Sequence, residues 1–178
     1  MNVIQVHDKF FRPFIPFEKI EEEVKRIAWE INKDLEGQKP LFLSVLNGSF
    51  MFAADLLKHI TLNCEISFVK LASYSGTEST QNVRQLIGFD EDIYGKTIVV
   101  LEDIIDSGLT MERVLEQLKD RGAHEVRVAT LMFKPAAFKR DYEIHYKGFD
   151  IGNEFIIGYG LDYNRQGRNL KDIYIIEE

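Results

Sequence analysis

Hydrophobic residues recur at helical spacing in two segments of the chain. Within residues 16–35 they return every three or four positions and form one apolar stripe, which predicts a helix. The same spacing predicts a helix over residues 110–121, ended by Gly122. A further helix is expected over residues 50–60, with Ser49 as its N-cap.

Short, almost uninterrupted apolar runs lie between and after these helices, as in strands buried on both faces of a sheet. They cover residues 41–46, 65–71, 98–101, 126–133, 155–157 and 173–176. Residues 74–84 are polar and lack a period, which predicts a surface loop. Strands that alternate with helices predict an α/β fold with a parallel sheet covered on both faces. In such folds ligands bind outside the carboxyl ends of the strands.

Composition and charge are those of one soluble domain, residues 1–178. Hydrophobic residues make up 45% of the chain and charged residues 29%, both ordinary for a globular protein. The net charge of −7 disfavours nucleic acid and anionic membranes as partners. Cys64 is the single cysteine, so no internal disulfide can form and a packed thiol is expected. The chain has neither an apolar run of membrane-spanning length nor a signal-peptide pattern, so we expect a cytoplasmic protein.

The third apolar run continues into carboxylates, a glycine and hydroxyls, in the stretch VVLEDIIDSGLT of residues 99–110. Glu102 and Asp103 are expected at the last positions of the strand. Because carboxylates only accept hydrogen bonds, this pair suits a donor such as a sugar diol, or a divalent cation.

The residues that follow suit a phosphate. Gly108 permits a tight turn from strand to helix, and the backbone N–H groups of residues 106–110 open that helix. Ser107 and Thr110 add hydroxyls, and Asp106 lies between the acidic pair and the turn. A phosphorylated sugar needs both kinds of group side by side, although the same residues also fit a solvated turn capped by Ser107.

The whole string, acid-acid-apolar-apolar-acid-small-Gly-x-Thr after an apolar strand, resembles the phosphoribosyl-diphosphate (PRPP) signature of the type I phosphoribosyltransferases. The resemblance runs from about residue 10 to the C-terminus and points to the hypoxanthine (hypoxanthine-guanine) phosphoribosyltransferase branch. The supporting stretches are residues 46–56, 71–74, 134–135 and 155–163.

This resemblance implies both a fold and a reaction. The fold is a mostly parallel central sheet with helices on both faces, plus a small hood formed by N- and C-terminal segments. The reaction transfers the 5-phosphoribosyl group of PRPP to a 6-oxopurine, hypoxanthine and also guanine, with Mg²⁺, and yields IMP or GMP and diphosphate. The resemblance also implies a homodimer or homotetramer.

By the family pattern, the motif residues take up PRPP and the metal. Glu102 and Asp103 would hold Mg²⁺ and the ribose 2′- and 3′-hydroxyls, and Asp106 would lie near purine N7 as the general base. The 5′-phosphate would be wrapped by Ser107, Gly108, Leu109 and Thr110.

Purine-binding roles fall on residues further along the chain. Lys134, just past the fourth strand, would donate to the carbonyl at purine C6 and disfavour adenine. Phe155 would stack on the base, and the Ile156 backbone would contact its edge. Asp162 matches the family's second-metal or diphosphate-side carboxylate and is counted with the purine-binding and metal residues. Without the resemblance, Lys134 fits a surface lysine and Phe155 fits a core residue.

Diphosphate-binding and lid roles are implied for three further places. Asn47 and Gly48 occupy the slot where the family binds diphosphate through backbone amides, with Asn47 in place of a frequent lysine. Arg168 matches the diphosphate-binding arginine. Ser73 and Tyr74 open the polar loop, which in the family closes over the site and excludes water.

Two other functions stay open. A PRPP-binding regulatory protein of the pyrimidine attenuation type would bind RNA, but the charge of −7 argues against it. A receiver-like or phosphatase domain would use the acidic pair for Mg²⁺ and would become phosphorylated on Asp103, and it would leave Lys134 and Asp162 without a role.

Overall fold

Two sheets organise the chain, which a computed structural model describes over residues 3–72, 84–87 and 92–177. In chain order the elements are β1 (Ile4–Val6), β2 (Lys9–Ile15), α1 (Phe17–Asp34), β3 (Leu41–Leu46), α2 (Phe50–Leu57), β4 (Glu65–Ala72), β5 (Arg84–Ile87), β6 (Thr97–Ile105), α3 (Leu109–Asp120), β7 (Glu125–Phe133), β8 (Tyr146–Asp150), β9 (Ile156–Ile157) and β10 (Ile173–Ile176). We name β5-β4-β3-β6-β7-β8, in spatial order, the main sheet, and β1-β2-β10-β9 the hood.

The main sheet is parallel except at one edge, where β5 runs antiparallel to β4. Its central strands, β3 and β6, are buried along almost their whole length. Alternate side chains enter different cores, since Phe42, Val99 and Leu101 pack with α1 and α2, whereas Leu41 and Val100 pack with α3. The predicted mostly parallel sheet with helices on both faces is confirmed.

Burial of one apolar face explains where the longer helices form. In α1 the buried side chains repeat every three or four residues and are Ile20, Val24, Ile27, Ala28 and Ile31. In α3 they are Met111, Val114 and Leu118. Each fully buried aliphatic side chain contributes roughly 1.5–3 kcal/mol of transfer free energy, so these stripes hold the helices against the sheet. Across the described part of the chain, no helix is long and apolar enough to cross a membrane.

The hood joins the two ends of the chain. Antiparallel pairing places β10 between β2 and β9, and a small core lies with it, formed by Val6, Phe11 and Ile157. The Tyr159 hydroxyl donates to the Asp55 carboxylate of α2 at 2.6 Å, which ties the hood to the helices of the main sheet. Gly160 approaches Gly48 so closely that this part of the hood lies at the carboxyl end of β3. The hood that the resemblance implies is therefore present.

Some elements differ from the sequence predictions. Helix α2 ends at Leu57 rather than at residue 60. Ser49 is its N-cap as predicted, but the hydroxyl of Ser49 does not cap the helix because it donates to the carbonyl oxygen of Val45. Strand β5 begins at Arg84, at the end of the predicted loop. The rest of that loop lies outside the described residues, and the sequence pattern does not predict β1, β2 or β8.

Strand β6 is longer than predicted. It continues to Ile105, so Glu102 and Asp103 lie inside the strand and not at its last positions. Glu102 lies opposite Thr130 of β7 in parallel register, so the ladder extends past the acidic pair. The sequence prediction ended this strand at Leu101 because charged side chains are uncommon in buried strands.

Candidate active site

A cavity of about 250 Å³ opens at the carboxyl end of β6. Its lining includes Glu102 and Asp103, whose side chains we name the acid wall. It also includes residues 106–110, between β6 and the first turn of α3, which we name the amide wall. Gly48, after β3, lines the same cavity. The structure therefore brings the whole predicted PRPP motif to one place.

Burial determines the electrostatics of the acid wall. Glu102 is 8% exposed and Asp103 is 6% exposed, although both line the cavity. Burial, together with the nearby charge of Asp103, raises the pKa of the Glu102 carboxyl. Burial also raises the pKa of Asp103, against opposing contributions from hydrogen bonds and from the charge of Arg168. A cation, or the hydrogen-bond donors of a ligand, would offset these costs, so the acid wall suits a metal ion or sugar hydroxyls.

The amide wall is built from backbone. Gly108 has a φ of +82°, which lets the chain turn from β6 into α3. Its carbonyl oxygen accepts the first hydrogen bond of α3 from the Glu112 N–H at 3.0 Å. The Leu109 N–H makes a long contact of 3.5 Å with the Ser107 hydroxyl oxygen. A donor engaged this weakly, at the start of a helix, is suited to an incoming phosphate.

Lys134 connects the amide wall to the segment that precedes β9. Its ammonium nitrogen lies 3.4 Å from a carboxylate oxygen of Asp106 and 3.4 Å from the carbonyl oxygen of Asn153. Lys134 is 8% exposed, so its interpretation as a surface lysine is wrong. The Asp106 side chain is 57% exposed and faces open space beside this lysine.

Phe155 lies outside the lining of the cavity and borders a separate pocket together with Asn153. It is 44% exposed, so its interpretation as a core residue is wrong. Its ring meets the Tyr163 ring edge to face with centroids 5.8 Å apart, and it is tilted against Phe11 at 6.3 Å. The next residue, Ile156, is buried in the hood strand β9. The exposed part of a ring held in this way can stack on a planar base.

The turn after β3 contains the residues that the resemblance implies for diphosphate. The Leu46–Asn47 peptide bond is cis, and Asn47 is exposed. A Cβ atom on Gly48 would overlap the Asp103 carboxylate, so only glycine fits between the turn and the acid wall. Ser73 and Tyr74, predicted as lid residues, lie outside the described residues.

Arg168 and Asp162 form a pair on the hood side of the site. Arg168 donates to the carbonyl oxygen of Gly160 at 2.7 Å and lies 2.6 Å from one carboxylate oxygen of Asp162. The other oxygen of Asp162 accepts the Arg165 N–H at 2.6 Å. Within the residues that the structure describes, no three histidine, cysteine or acidic side chains come together to hold a metal ion.

Sequence reasoning missed several groups that shape the site. The Tyr142 hydroxyl donates to the Gly108 carbonyl oxygen at 3.1 Å, and Phe138 packs against the same glycine. The Asn153 carbonyl contributes to the surroundings of Lys134. These contacts join segments that are distant in sequence and belong to no motif, so no local signal reveals them.

A family model described as "Phosphoribosyl transferase domain" matches residues 16–164. The chain belongs to the phosphoribosyltransferase family. Among curated relatives, it is 40% identical to a hypoxanthine-guanine phosphoribosyltransferase of Streptococcus agalactiae, over 88% of this chain and 87% of that protein. The predicted resemblance to the hypoxanthine-guanine branch is confirmed.

A solved structure shares the fold. The crystal structure of a hypoxanthine-guanine phosphoribosyltransferase from Bacillus anthracis matches with a TM-score of 0.87 at 39% identity, covering 94% of this chain and 97% of that one. The chain is also 35% identical, over 97% of its length, to the bifunctional protein TilS/HprT of Listeria monocytogenes. It spans 27% of the length of that relative.

Proposed function

We propose that this chain transfers the 5-phosphoribosyl group of PRPP to a 6-oxopurine, hypoxanthine or guanine, as a purine salvage enzyme. The products are IMP or GMP and diphosphate. The observation that carries this proposal is the cavity in which a buried acidic pair and a helix-opening loop lie side by side. Relatives that are named hypoxanthine-guanine phosphoribosyltransferases support the choice of substrate.

The two walls match the two parts of a phosphorylated ribose. The N–H groups of the amide wall and the hydroxyls of Ser107 and Thr110 bind the 5′-phosphate at the start of α3. The carboxylates of Glu102 and Asp103 accept hydrogen bonds from the ribose 2′- and 3′-hydroxyls. Gly48 and Arg168 take the diphosphate on the hood side, and Asn47 contributes through its backbone.

The base lies between Lys134 and Phe155. The Lys134 ammonium donates to the carbonyl oxygen at purine C6, and in adenine it would face an amino group instead, so 6-oxopurines are favoured. The exposed ring of Phe155 stacks on the base, and the Ile156 backbone contacts its edge.

Asp106 is proposed as the general base. Purine N9 attacks ribose C1′ while the bond from C1′ to the diphosphate oxygen breaks, and diphosphate leaves with the electron pair. The proton on purine N7 passes to the Asp106 carboxylate, which is exposed beside Lys134. General-base catalysis of this kind contributes roughly 10²–10⁴-fold to a rate.

Mg²⁺ fits the chemistry of the acid wall, where adjacent buried carboxylates have raised pKa values. We propose that Glu102 and Asp103 hold the ion with substrate oxygens, and that Asp162 faces a second one. When bound, the ion neutralises negative charge on the diphosphate. Both oxygens of Asp162 are engaged by Arg168 and Arg165, so its part requires release of one of these contacts.

The test is turnover with PRPP and Mg²⁺ against hypoxanthine, guanine, xanthine and adenine, followed by loss of free base. We expect turnover of hypoxanthine and guanine and rejection of adenine. Activity with adenine equal to that with hypoxanthine would contradict the role of Lys134, and no turnover of any base would overturn the proposed function. Lys171→Ala, at an exposed lysine, is a control that retains activity.

The other properties are proposed on the resemblance. They are a single catalytic domain over residues 1–178, a cytoplasmic location, and a homodimer or homotetramer, which sedimentation velocity would distinguish. The family match decides against the receiver or phosphatase interpretation. The RNA-binding alternative is not favoured, because the charge is −7 and the relatives named here are transferases.

A further inference from the structure

The segment between β7 and β8 supports the amide wall from outside the cavity. We name residues 134–142 the brace. It reaches the loop and the first turn of α3 through three polar contacts, which are Lys134 to Asp106 at 3.4 Å, Tyr142 to Gly108 at 3.1 Å and Arg140 to Glu112 at 3.3 Å. The start and the middle of the amide wall, and the helix turn that follows it, are therefore connected to the brace.

The contact of Tyr142 falls on the peptide group between Gly108 and Leu109, in the middle of the amide wall. The Gly108 carbonyl oxygen accepts two hydrogen bonds, one from the Glu112 N–H at 3.0 Å and one from the Tyr142 hydroxyl at 3.1 Å, which uses both of its lone pairs. The Leu109 N–H belongs to the same planar peptide and points opposite to that carbonyl. Fixing the carbonyl therefore fixes the direction of the Leu109 N–H.

Packing holds the Tyr142 ring in place for this contact. The Phe138 and Tyr142 rings meet edge to face with centroids 5.2 Å apart, and Phe138 meets Phe133 of β7 in the same way at 5.2 Å. A Cβ atom on Gly108 would lie 2.7 Å from the Phe138 ring and 2.8 Å from the Tyr142 hydroxyl oxygen. The aromatic side chains thus fill the space behind the glycine.

The Tyr142 hydroxyl also stays a donor under all ordinary conditions. Burial, with the nearby charges of Glu102 and Glu112, raises the pKa of Tyr142 far above neutrality. The phenol therefore keeps its proton near neutral pH.

We propose that Tyr142 is a positioning residue that orients the Leu109 N–H towards the 5′-phosphate of the substrate. This inference rests on the proposed function. Tyr142 itself touches no substrate in this arrangement, because it acts on the outer side of the Gly108–Leu109 peptide.

The experiment uses the full chain with Tyr142→Phe, which keeps the ring packing and removes only the hydroxyl. Losing one such hydrogen bond should raise KM for PRPP about fivefold, with kcat and KM for hypoxanthine within about twofold of the parent. The matched control is Tyr146→Phe on strand β8. It removes a hydroxyl that is hydrogen-bonded to Arg127 and Asp34. We expect this control to leave KM for PRPP unchanged.

Binding of product analogues isolates the phosphate. Tyr142→Phe should weaken binding of IMP about fivefold and leave binding of inosine unchanged, because inosine lacks the 5′-phosphate. Equal losses for IMP and inosine, or no loss for either, would overturn the inference. Absence of turnover by the parent chain would instead overturn the proposed function, so the two failures are distinguishable.

Discussion

The acid wall and the amide wall face one cavity, but they present different kinds of groups to it. On the acid wall, the side chains of Glu102 and Asp103 are buried in a strand, and burial raises the pKa of both. On the amide wall, the Asp106 side chain is 57% exposed, and the groups suited to a ligand are neutral backbone N–H donors. The buried carboxylates of the acid wall therefore lower the free energy of unfolding while the cavity is empty. The amide wall has no such cost.

The two walls also differ in how they are held. The acid wall belongs to β6, whose ladder to β7 continues on both sides of Glu102. The amide wall begins where that ladder ends, and its Gly108 carbonyl accepts a hydrogen bond from Tyr142 of the brace. The charged side chains thus lie on a strand paired within the sheet, and the backbone donors lie where a helix begins.

The largest expected effect comes from Asp106, the exposed carboxylate of the amide wall. Asp106→Asn should lower kcat by roughly 10²–10⁴-fold, because the amide cannot accept the purine N7 proton. PRPP binding, measured by calorimetry, should change little, since the backbone donors of the loop are retained. Unchanged turnover would remove Asp106 as the general base.

Replacing Lys134 tests the proposed hydrogen bond from its ammonium group to the purine base. Lys134→Ala should raise KM for hypoxanthine about tenfold to hundredfold, in line with loss of a hydrogen bond from a charged donor. KM for PRPP should rise much less. Equal increases in both constants would mean that Lys134 has a structural role, and Lys171→Ala provides the exposed-lysine control.

Gly108 tests how far the amide wall depends on the brace. Gly108→Ala should lower the free energy of unfolding by about 1–3 kcal/mol and weaken PRPP binding, because φ is +82° and the new methyl group meets Phe138 and Tyr142. Gly37→Ala is a matched control, since φ is +80° there but no atom lies within 4 Å of the added carbon.

Gly37→Ala should therefore show the backbone cost alone, with no change in PRPP affinity. Denaturant unfolding and calorimetric titration of both variants measure the two effects. Equal losses of stability, with PRPP binding unaffected in either, would show that the brace does not constrain the loop.

The smallest expected effect concerns the loss of stability caused by burying the Glu102 carboxylate in the acid wall. Because the pKa of Glu102 is raised on folding, the unfolded chain releases that proton at a lower pH than the folded chain. The free energy of unfolding therefore falls as the pH rises from the ordinary glutamate value of 4.5 through the raised pKa of Glu102, and the loss is complete above it. Glu102→Gln removes this loss, so the variant should be more stable than the parent at neutral pH by on the order of 1 kcal/mol.

Urea unfolding without ligand, between about pH 4 and pH 8, checks this expectation. The stability gap between Glu102→Gln and the parent should close as the pH falls from the raised pKa of Glu102 to the ordinary glutamate value of 4.5, while binding of PRPP with Mg²⁺ weakens in the variant. A variant less stable than its parent at neutral pH would show that the acid wall imposes no electrostatic cost.

The central strands of the main sheet, β3 and β6, are recognised from sequence because they are buried on both faces, whereas β5 and β8 at the sheet edges are not predicted. The run at residues 41–46 is continuous and apolar, and it matches β3 at both ends. The hood is different, since β2 buries only Phe11 and Ile15 and contains Pro13, so no period is visible in it. Its partners come from the other end of the chain, and a local pattern cannot report pairing over that distance.

The candidate site also has a part that the sequence predicts and a part that it does not. The motif of residues 102–110 is local in sequence, and the structure brings all of it to one cavity. The support for that motif comes from Tyr142 and Phe138, which are ordinary aromatic residues to any sequence pattern. The end of β6 is predicted wrongly for a different reason. The carboxylates of Glu102 and Asp103 indicate the end of a strand, but β6 continues beyond them.

The contact between Gly48 and Gly160 has a consequence for how activity is lost. A Cβ atom on Gly160 would overlap the Gly48 carbonyl oxygen, so the segment after β9 meets the turn between β3 and α2 through main-chain atoms. Gly48 also lines the cavity beside the acid wall, so this contact holds the segment after β9 next to the candidate site. Enzymatic turnover should therefore be lost as soon as the hood detaches from the main sheet, even while the central strands stay intact. An activity assay would report this detachment before spectroscopic probes of the strands respond.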